Sequence, residues 1–407
     1  MNTPRTVRTG PLRYATAPRF ARPRPVTAED AVPRSGAVCP QPPSRLEALM
    51  GPPPGRHPQS EDCLHLTVTA PAAPTATGRP VLVWFHGGGF SSGAGILDWY
   101  DGTALAAEQD VVVVGANYRL GALGYLLQDG VSEGNLGLYD QIEALRWVRA
   151  HIADHGGDPR NVTVFGQSAG ALSTLLLLRV PEARELFGRV ILQSPPLSIA
   201  TRAPAEARET GRHFADALGG DPRTAPVADL LAAQARTAAC HQRATGSFLA
   251  PPFGPVDGVA PLPAGTGDAP FTGPAPDVLY GWNADDMSAF PEGPSDTGSV
   301  AERTRRLYEE PLRDLHARLE AHGARVHGYR LDWRPAGSPH GATHCVEIPL
   351  LLGTAHAWRH APMLGGLSRA EVDAVGRGMR AAWAAFARTG DPGPLPAPLV
   401  ALTGQNT

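Results

Sequence analysis

The stretch that most constrains the fold of this chain covers residues 161–170 and reads NVTVFGQSAG. Its first half has the β-branched and aromatic composition of a short strand, and an apolar helix is predicted over 171–178. Gly166 and Gly170 lack a Cβ, so the helix can turn back closely over the end of the strand. The residue between them is then forced into a strained backbone conformation that lifts its side chain clear of the sheet. We therefore predict that Ser168 is a nucleophile at a sharp strand-to-helix turn; an ordinary turn is the alternative.

Apolar runs and helical stripes alternate along the rest of the chain. Because strands alternate with helices at this spacing, we predict an α/β fold with a mostly parallel sheet covered by helices on both faces. The predicted strands are 64–69, 81–85, 110–116, 162–165, 189–193, 277–281 and 326–331. The predicted helices are 138–152, 171–178 and 369–387, with further helical structure over 200–245.

The chain has 407 residues, which is enough for one large α/β domain or two smaller ones. We predict a single domain over 1–407. Residues 1–60 are rich in proline and weakly patterned, so we expect them to wrap around the surface of that domain. Residues 250–275 and 291–300 have the composition of loops.

Charge and composition exclude several classes of function. The formal net charge is −3, so no basic field is available to attract nucleic acid or an anionic membrane. All 36 basic residues are arginine, which excludes Schiff-base lysines, P-loops and Ser–Lys dyads. No apolar run is long enough to span a bilayer, and residues 1–25 lack the apolar core of a secretory signal. We expect a cytoplasmic protein that needs no cofactor and no metal.

The hydrolysis of an ester needs a nucleophile, a base and donors aimed at the developing oxyanion. Three glycines follow His86 directly after the predicted buried strand 81–85. Without side chains, Gly88 and Gly89 let backbone N–H groups approach a substrate oxygen, as in the HGGG-type loops of esterases. Ala169, directly after the serine, offers one more N–H group. A plain tight turn is the alternative interpretation of the glycine run.

An acid and a histidine are expected downstream of the serine, in the order Ser, acid, His. Asp286 follows the predicted strand 277–281, and His344 lies on a predicted loop. His340 and His356 lie near His344 in the sequence. The residues alone do not decide among these three histidines.

Many stretches resemble the type-B carboxylesterase and cholinesterase family. The resemblance spans nearly the whole chain, runs in the same order and is therefore specific. The stretches that carry it are 60–66 (SEDCLHL), 83–90 (VWFHGGGF), 117–121 (NYRLG), 134–141 (GNLGLYDQ), 144–148 (ALRWV), 156–171 (GGDPRNVTVFGQSAGA), 254–258 (GPVDG), 280–290, 341–348 and 383–392.

The resemblance implies the α/β-hydrolase fold and hydrolysis of carboxylic esters through an acyl-enzyme. It places a catalytic triad on Ser168, Asp286 and His344. It places the oxyanion hole on three backbone amides, those of Gly88, Gly89 and Ala169. It also suggests that Glu61 and Arg119 form a buried structural ion pair. A small-molecule ester is the expected partner, and the oligomeric state is not readable.

The chain departs from the family pattern at four points. The triad acid of the family is usually Glu, so either the loop of Asp286 sits closer to His344 or Asp285 takes part instead. The segment between Asp286 and His344 is shorter than is usual. Residues 200–275, expected to form the lid and pocket insertion, are also trimmed, which predicts a reduced lid region. Finally, members of the family are often secreted, whereas this chain shows no signal.

Three other functions compete with a serine carboxylesterase. The same acyl-enzyme could transfer its acyl group to an alcohol or amine, and the fold also occurs in non-catalytic interaction proteins. A metal-dependent hydrolase is the weakest alternative, because the paired histidines at 340/344 and 356/360 lack a His-Glu-x-x-His motif. Four aromatic residues could line a pocket: Phe90, Trp99, Phe187 and Phe253. Cys39 and Cys63 could close one loop as a disulfide.

Overall fold

The centre of the molecule is a nine-stranded sheet. The computed structural model describes residues 5–26, 36–55, 57–199, 201–247, 249–265, 271 and 274–402. In these residues the strands lie side by side in the order β1-β2-β4-β3-β5-β6-β7-β8-β9. In chain order they are β1 (Thr6–Arg13), β2 (His65–Pro71), β3 (Arg79–Phe85), β4 (Val112–Ala116), β5 (Gly157–Gln167), β6 (Arg189–Gln193), β7 (Asp277–Asn283), β8 (Arg325–Leu331) and β9 (Leu399–Leu402).

The strand pairing confirms the predicted, mostly parallel sheet. Strand β3 pairs in parallel with β4 and β5, and β5 to β8 continue in parallel. Strands β1 and β2 at one edge and β9 at the other pair antiparallel. The carboxyl ends of β3, β5, β6 and β7 therefore meet at one edge of the sheet, where ligands bind in open α/β sheets. Two small hairpins pair Ala15–Thr16 with Arg24–Pro25 and Leu127–Gln128 with Ser132–Glu133.

Helices cover both faces of the sheet, as predicted. Successive residues of a strand point to opposite faces. In β3, Val83 accordingly joins one hydrophobic cluster and Trp84 the other. The longer helices are α1 (Thr103–Gln109), α2 (Leu136–His151), α3 (Ala169–Leu177), α4 (Pro204–Leu218), α5 (Val227–Thr245), α6 (Glu310–Ala321) and α7 (Arg369–Thr389). Buried residues of α2, α3 and α6 belong to the cluster of Val83, and those of α1 and α7 to the cluster of Trp84.

Short helices fill several connections near the carboxyl edge of the sheet. One of them, Val300–Thr304, continues through a π-helical segment, Arg305–Glu309, directly into α6. The other short α-helices are Glu47–Met50, Gly121–Tyr125, Pro181–Arg184, Ile348–Leu351 and Ala355–Trp358. The 3₁₀ turns are Asp98–Tyr100, Ile152–His155, Leu197–Ile199, Asp286–Ala289 and Pro362–Leu364.

The region predicted as a lid consists of α4, α5 and a connection that returns to the sheet. Phe214 of α4 is buried and meets Phe253 edge-on, with the ring centroids 5.7 Å apart. Residues 249–265 contain turns and one isolated bridge at Val256, but no helix or strand. The loop expected over 250–275 is therefore found in its described part.

Within the N-terminal segment, residues 6–13 form the edge strand β1, which was not among the predicted strands. It pairs with β2, and its register shifts between Thr9 and Leu12. Gly10 and Pro11 lie at that shift, and proline in a sheet is confined to edges and bulges because it has no N–H to donate. Most residues of the strand are exposed or half-buried on both faces, and Val7 is 49% exposed. The segment therefore lacks the apolar alternation by which a half-buried strand is recognised.

The predicted ion pair between Glu61 and Arg119 is wrong. Arg119 instead binds Asp140 of α2 in a buried, two-pronged contact of 2.7 and 2.8 Å. Glu61 is only partly buried and binds Arg19 in the same two-pronged way. The buried arginine is therefore compensated by Asp140, whose side chain is also fully buried, whereas Glu61 is partly exposed. A buried charge needs a partner that is buried with it.

Candidate active site

Ser168 occupies the turn between β5 and α3, in a backbone conformation that ordinary residues rarely adopt. Its φ and ψ are 54° and −124°. A Cβ on Gly166 would lie 2.5 Å from the carbonyl carbon of Gly170, and a Cβ on Gly170 would collide with the carbonyl oxygen of Phe85. The helix can therefore cross the strand end this closely only because both positions are glycine. The amide of Ser168 donates to the carbonyl of Gln193 on β6, which ties the strained turn to the sheet.

His344 and Asp286 meet directly behind this turn. Nδ1 of His344 lies 2.7 Å from Oδ1 of Asp286, and both side chains are fully buried. The other carboxylate oxygen, Oδ2, accepts hydrogen bonds from the Ser194 hydroxyl at 2.9 Å and from the backbone N–H of Asn283 at 2.8 Å. The carboxylate is thus held on both oxygens, and it fixes the orientation of the imidazole.

The neighbouring carboxylate, Asp285, is engaged elsewhere. It forms an ion pair with Arg334 at 2.8 Å and accepts a hydrogen bond from the Ala342 amide. Of the competing histidines, His356 is exposed beside Arg359 and His340 is half-buried four residues before His344. Among the residues predicted as acid and base, the structure therefore brings together Asp286 and His344.

The second ring nitrogen of His344 faces the residue before the serine. Its Nε2 lies 2.9 Å from the side-chain nitrogen of Gln167. Because Nδ1 donates its proton to Asp286, Nε2 carries the lone pair and the Gln167 amide is the donor. In the described part of the chain, no hydrogen bond joins the Ser168 hydroxyl to His344. Sequence reasoning did not foresee this contact.

The glycine run after β3 forms a tight loop beside Ser168. Gly88 and Gly89 have φ of +109° and +60°, and a Cβ on Gly88 would collide with the carbonyl oxygen of Ser92. The amide of Ala169 begins α3, where a helix leaves its first N–H groups without intrahelical acceptors. Gly88, Gly89 and Ala169 line the same cavity as Ser168.

His86 supports this loop from beneath. Burial lowers the pKa of His86 to about 4, so its ring is neutral at physiological pH. Its Nδ1 lies 2.7 Å from the carbonyl oxygen of Gly87 and donates its proton there. The ring also stacks on Tyr118, whose hydroxyl donates to the His86 carbonyl at 2.6 Å. The first residue of the loop is therefore a structural support in the interior.

A second buried acid, Glu347, lies behind the histidine. It accepts a hydrogen bond from the Asn283 side chain at 2.6 Å and a longer one from Gln193 at 3.4 Å. Burial raises the pKa of Glu347 to about 7, with a further contribution from the nearby charge of Asp286. Trp383 of α7 donates to Gln193 at 3.2 Å and closes this network. The sequence stretch around His344 contains Glu347, but nothing in it indicated this burial.

Two cavities flank the glycine loop. The narrow one, of about 50 Å³, is lined by Ser168, by the three residues with the predicted oxyanion amides and mostly by apolar side chains. The wider one, of about 510 Å³, lies beyond Gly88 and is lined by Gln167, Cys345 and residues of the N-terminal segment. Ser44, Leu46, Gly88 and Ser92 line both, so the two cavities are adjacent at these residues.

Aromatic rings flank the histidine on the side of the narrow cavity. The ring centroids of Phe290 and Tyr308 lie 5.2 and 5.8 Å from that of His344. Tyr308 belongs to the π-helical segment, a distortion that is often found at functional sites. Of the four aromatic residues suggested by the sequence, Phe90 lines the narrow cavity and Trp99 the wider one. The other two, Phe187 and Phe253, line neither.

The described residues contain neither the disulfide considered from the sequence nor a cluster of metal ligands. Cys39 and Cys63 are buried and are not joined by a disulfide. Across the described ranges, no group of three or more His, Cys, Asp or Glu side chains is arranged to hold a metal ion. None of the helices in these residues is both long and apolar enough to cross a membrane.

The strand order and the strained strand-to-helix turn define an α/β-hydrolase. The chain belongs to the carboxylesterase family, whose model matches residues 10–292. It is 42% identical over 403 residues to a probable N-octanoylanthranilate hydrolase, AqdA2, of Rhodococcus erythropolis, covering 93% of this chain and 88% of that protein. It is 35% identical over 436 residues to the para-nitrobenzyl esterase of Bacillus subtilis, covering 93% and 85%.

Solved structures agree with this assignment. A structure of a PNB esterase superposes with a TM-score of 0.81 at 30% identity, covering 97% of this chain and 90% of that chain. A second PNB esterase structure gives a TM-score of 0.78 at 31% identity with the same coverage. Family, relatives and fold together identify a carboxylic ester hydrolase.

Proposed function

We propose that the chain hydrolyses carboxylic esters through an acyl-enzyme on Ser168, with His344 as the base and Asp286 as the residue that orients it. The observation that carries this proposal is the position of the imidazole. Its Nδ1 is bonded to Asp286, and its Nε2 faces the strand-to-helix turn at Gln167, the residue next to Ser168. The imidazole therefore presents its basic nitrogen to the turn that holds the strained serine.

The first half of the reaction follows from this arrangement. His344 accepts the proton of Ser168 as the hydroxyl oxygen attacks the acyl carbon, and Asp286 stabilises the imidazolium without taking the proton. The amides of Gly88, Gly89 and Ala169 donate to the oxyanion of the tetrahedral intermediate. His344 then gives its proton to the leaving alcohol. Water repeats the two steps on the acyl-enzyme and releases the acid.

The contact between Gln167 and His344 marks the resting arrangement in this proposal. Nε2 of His344 has one lone pair, so the Gln167 amide and the Ser168 hydroxyl compete for it. Hydrogen bonds of catalytic groups are often long or misaligned before substrate binds. In the proposed catalytic arrangement, rotation of the serine and glutamine side chains exchanges one donor for the other.

The proposed substrate is a small acyl compound with an apolar acyl chain. The narrow cavity supports this, because Leu172, Ile199 and Leu249 line it beside Ser168. The relative from Rhodococcus erythropolis is named for an octanoyl amide of an aminobenzoate, and the relative from Bacillus subtilis for a nitrobenzyl ester. We therefore propose an ester of a medium-length acyl group and an aromatic alcohol.

The decisive experiment replaces the nucleophile. Ser168→Ala should lower the turnover of p-nitrophenyl octanoate by about 10⁴-fold or more, because the acyl-enzyme can no longer form. A fluorophosphonate probe should label the parent protein and not this variant. As a matched control, Ser173→Ala removes a hydroxyl on α3 that donates only to the carbonyl of Ala169, and this variant should still be labelled. Undiminished turnover in Ser168→Ala would eliminate the proposed nucleophile.

A further inference from the structure

The narrow cavity beside Ser168 has room for only part of the acyl chain that the proposed function assigns to it. Its volume is about 50 Å³. Because one water-sized group needs about 10–15 Å³ of cavity, the space holds only a few such groups. A short acyl group such as butanoyl fills it. An octanoyl chain on Ser168 must therefore continue into a neighbouring space.

Such a space lies next to the narrow cavity, at the lid helices. This lid cavity has a volume of about 180 Å³. It is bounded by Ile199, by Arg202, by Glu206 of α4, by His241 of α5 and by the loop residues Pro251 and Gly254. Phe90, Ile199 and Pro251 line both cavities, so the two are adjacent at these residues. A chain that passes them enters the lid cavity.

The lid cavity changes from apolar to polar with distance from Ser168. The residues that it shares with the narrow cavity are all apolar. On its other side, Arg202, Glu206 and His241 also line a third cavity of about 230 Å³, between α4 and α5. Methylene groups can therefore be buried favourably at the near end of the lid cavity, whereas the far end favours polar groups or water.

Hydrogen bonds fix the loop that forms one wall of the lid cavity. The amide of Arg202 donates to the carbonyl of Pro255, and the amide of Asp257 donates to the carbonyl of Arg202, both at 2.9 Å. The side chain of Asn135 on α2 donates to the carbonyl of Val256 at 2.9 Å and accepts from its amide at 2.8 Å. The wall is therefore attached both to the start of the lid and to a helix of the core.

We infer that the lid cavity binds the far part of the acyl chain, and that the substrates are esters of unbranched fatty acyl groups longer than butanoyl. This inference rests on the proposed acyl-enzyme function of Ser168. The carbonyl carbon and the first methylene groups lie in the narrow cavity. The following methylene groups pass Ile199 and Pro251 and are buried beyond them. Each buried methylene group adds favourable free energy, so specificity rises with chain length until the chain reaches the charged end.

Gly254 is the position at which this inference can be tested most directly. A Cβ at Gly254 would lie 3.4 Å from Cγ of Pro251 and 3.5 Å from Cδ2 of Phe90, which are ordinary van der Waals distances. A side chain there would therefore begin beside two of the residues at which the cavities meet. Because Gly254 lines the lid cavity, Gly254→Leu should obstruct the path of the chain.

The test compares p-nitrophenyl octanoate with p-nitrophenyl butanoate, whose acyl group fits the narrow cavity. In the parent protein, kcat/KM for the octanoate should exceed that for the butanoate by about tenfold or more. This ratio should fall by about tenfold in Gly254→Leu. It should also fall in Ala250→Leu, which fills the lid cavity from a different backbone position. Labelling by a small fluorophosphonate verifies that each variant keeps a reactive serine.

The matched control is Gly220→Leu, which adds the same side chain to the exposed connection between α4 and α5. A Cβ at Gly220 would meet no atom of the described residues within 4 Å. The ratio in this variant should therefore equal that of the parent protein. A lower ratio in both Gly220→Leu and Gly254→Leu would attribute the effect to the lid as a whole and would contradict the inference.

The remaining outcomes separate this inference from the proposed function. If the parent protein hydrolyses neither ester, the proposed function is wrong and the inference falls with it. If the butanoate is hydrolysed as well as the octanoate, the inference alone is overturned. A ratio that stays at the parent value in both Gly254→Leu and Ala250→Leu would also overturn it, since the chain would then lie elsewhere. An equal loss on both esters in Gly254→Leu would contradict it as well, because the substitution would then act on the reacting groups.

Discussion

The regions behind and in front of the imidazole of His344 are built in opposite ways. Behind it, Asp286, Asn283 and Glu347 form a buried network with hydrogen bonds of 2.6 to 2.8 Å. In front of it, Phe290 and Tyr308 approach only as ring contacts, and the space beyond them is cavity. The groups behind the imidazole are attached to the ends of β6 and β7. The groups in front of it come from loops, the π-helical segment Arg305–Glu309 and residues 44–46.

This difference separates the chemistry of the site from its selectivity. The groups behind the imidazole are placed by the sheet and offer their partners few alternative positions. The groups in front are mostly apolar, so they exclude water and shape the cavity without fixing a hydrogen-bonding pattern. We therefore expect substitutions behind the imidazole to change turnover and pH behaviour, and substitutions in front to change which acyl group is accepted.

The largest effect should come from the carboxylate behind the imidazole. Asp286→Asn should lower kcat for p-nitrophenyl octanoate by about 10³–10⁴-fold, because an amide no longer fixes the tautomer or stabilises the imidazolium. Asp285→Asn should cost about tenfold at most, because Asp285 supports the loop through Arg334 and the Ala342 amide. Steady-state kinetics of the two variants make the comparison. If Asp285→Asn proved the slower enzyme, the acid would have to be reassigned by one residue.

An intermediate effect, on stability, is expected from Glu347. Its folded-state pKa of about 7 lies above the ordinary value of 4.5, so the folded protein holds a proton that the unfolded chain releases between these pH values. Its contribution to stability is therefore fully present below about pH 4.5 and is lost as pH rises through about 7. Glu347→Gln removes this dependence. Between pH 5 and pH 8, the unfolding free energy of the variant should therefore rise relative to that of the parent protein by up to about 3 kcal/mol.

Urea unfolding at pH 5 and pH 8 measures this difference. The matched control is Glu185→Gln, which replaces an exposed carboxyl. The unfolding free energies of this variant and of the parent protein should change by the same amount between the two pH values. If the difference in unfolding free energy between Glu347→Gln and the parent protein were the same at both pH values, Glu347 would not take up a proton in this range.

The smallest effect on turnover, and the clearest on selectivity, should come from Tyr308 in front of the imidazole. Tyr308→Leu replaces a ring that lines the narrow cavity with a smaller side chain, which leaves more room for the acyl group. For p-nitrophenyl esters of branched acyl groups, kcat/KM should therefore rise about three- to tenfold relative to the acetate. Tyr308→Phe keeps the ring and should leave the preference unchanged. A panel of acyl esters measures it. A large loss of kcat on every ester in Tyr308→Leu would place this residue with the groups behind the imidazole.

The division between back and front also describes what the sequence could predict. The strand, turn and helix around Ser168 are coded locally by β-branched residues, two glycines and an apolar run, so they were found from the chain alone. The approach of Asp286 to His344 bridges 58 residues and came from the family resemblance, and the structure brings the two together at 2.7 Å. The predicted roles in catalysis remain to be tested by the variants above.

The missed features depend on contacts between distant segments. Glu347 meets Asn283 and Gln193 through tertiary packing that no local pattern reports. The pairing of Arg119 was wrong for a related reason, because a sequence shows which charges exist but not which of them share a buried face. Edge strand β1 was missed because most of its residues are exposed or half-buried and do not alternate between apolar and polar.

The left-handed backbone at Ser168 has a consequence for how the chain can change over time. A glycine would adopt φ of 54° and ψ of −124° without the steric penalty that a side chain incurs there, and such strain is worth of order 1–3 kcal/mol. In a copy of this protein that is no longer selected for hydrolysis, replacement of Ser168 by glycine would therefore increase thermal stability. Serine is retained at this position although glycine would make the fold more stable. Its retention in a lineage therefore indicates that the hydroxyl is still used.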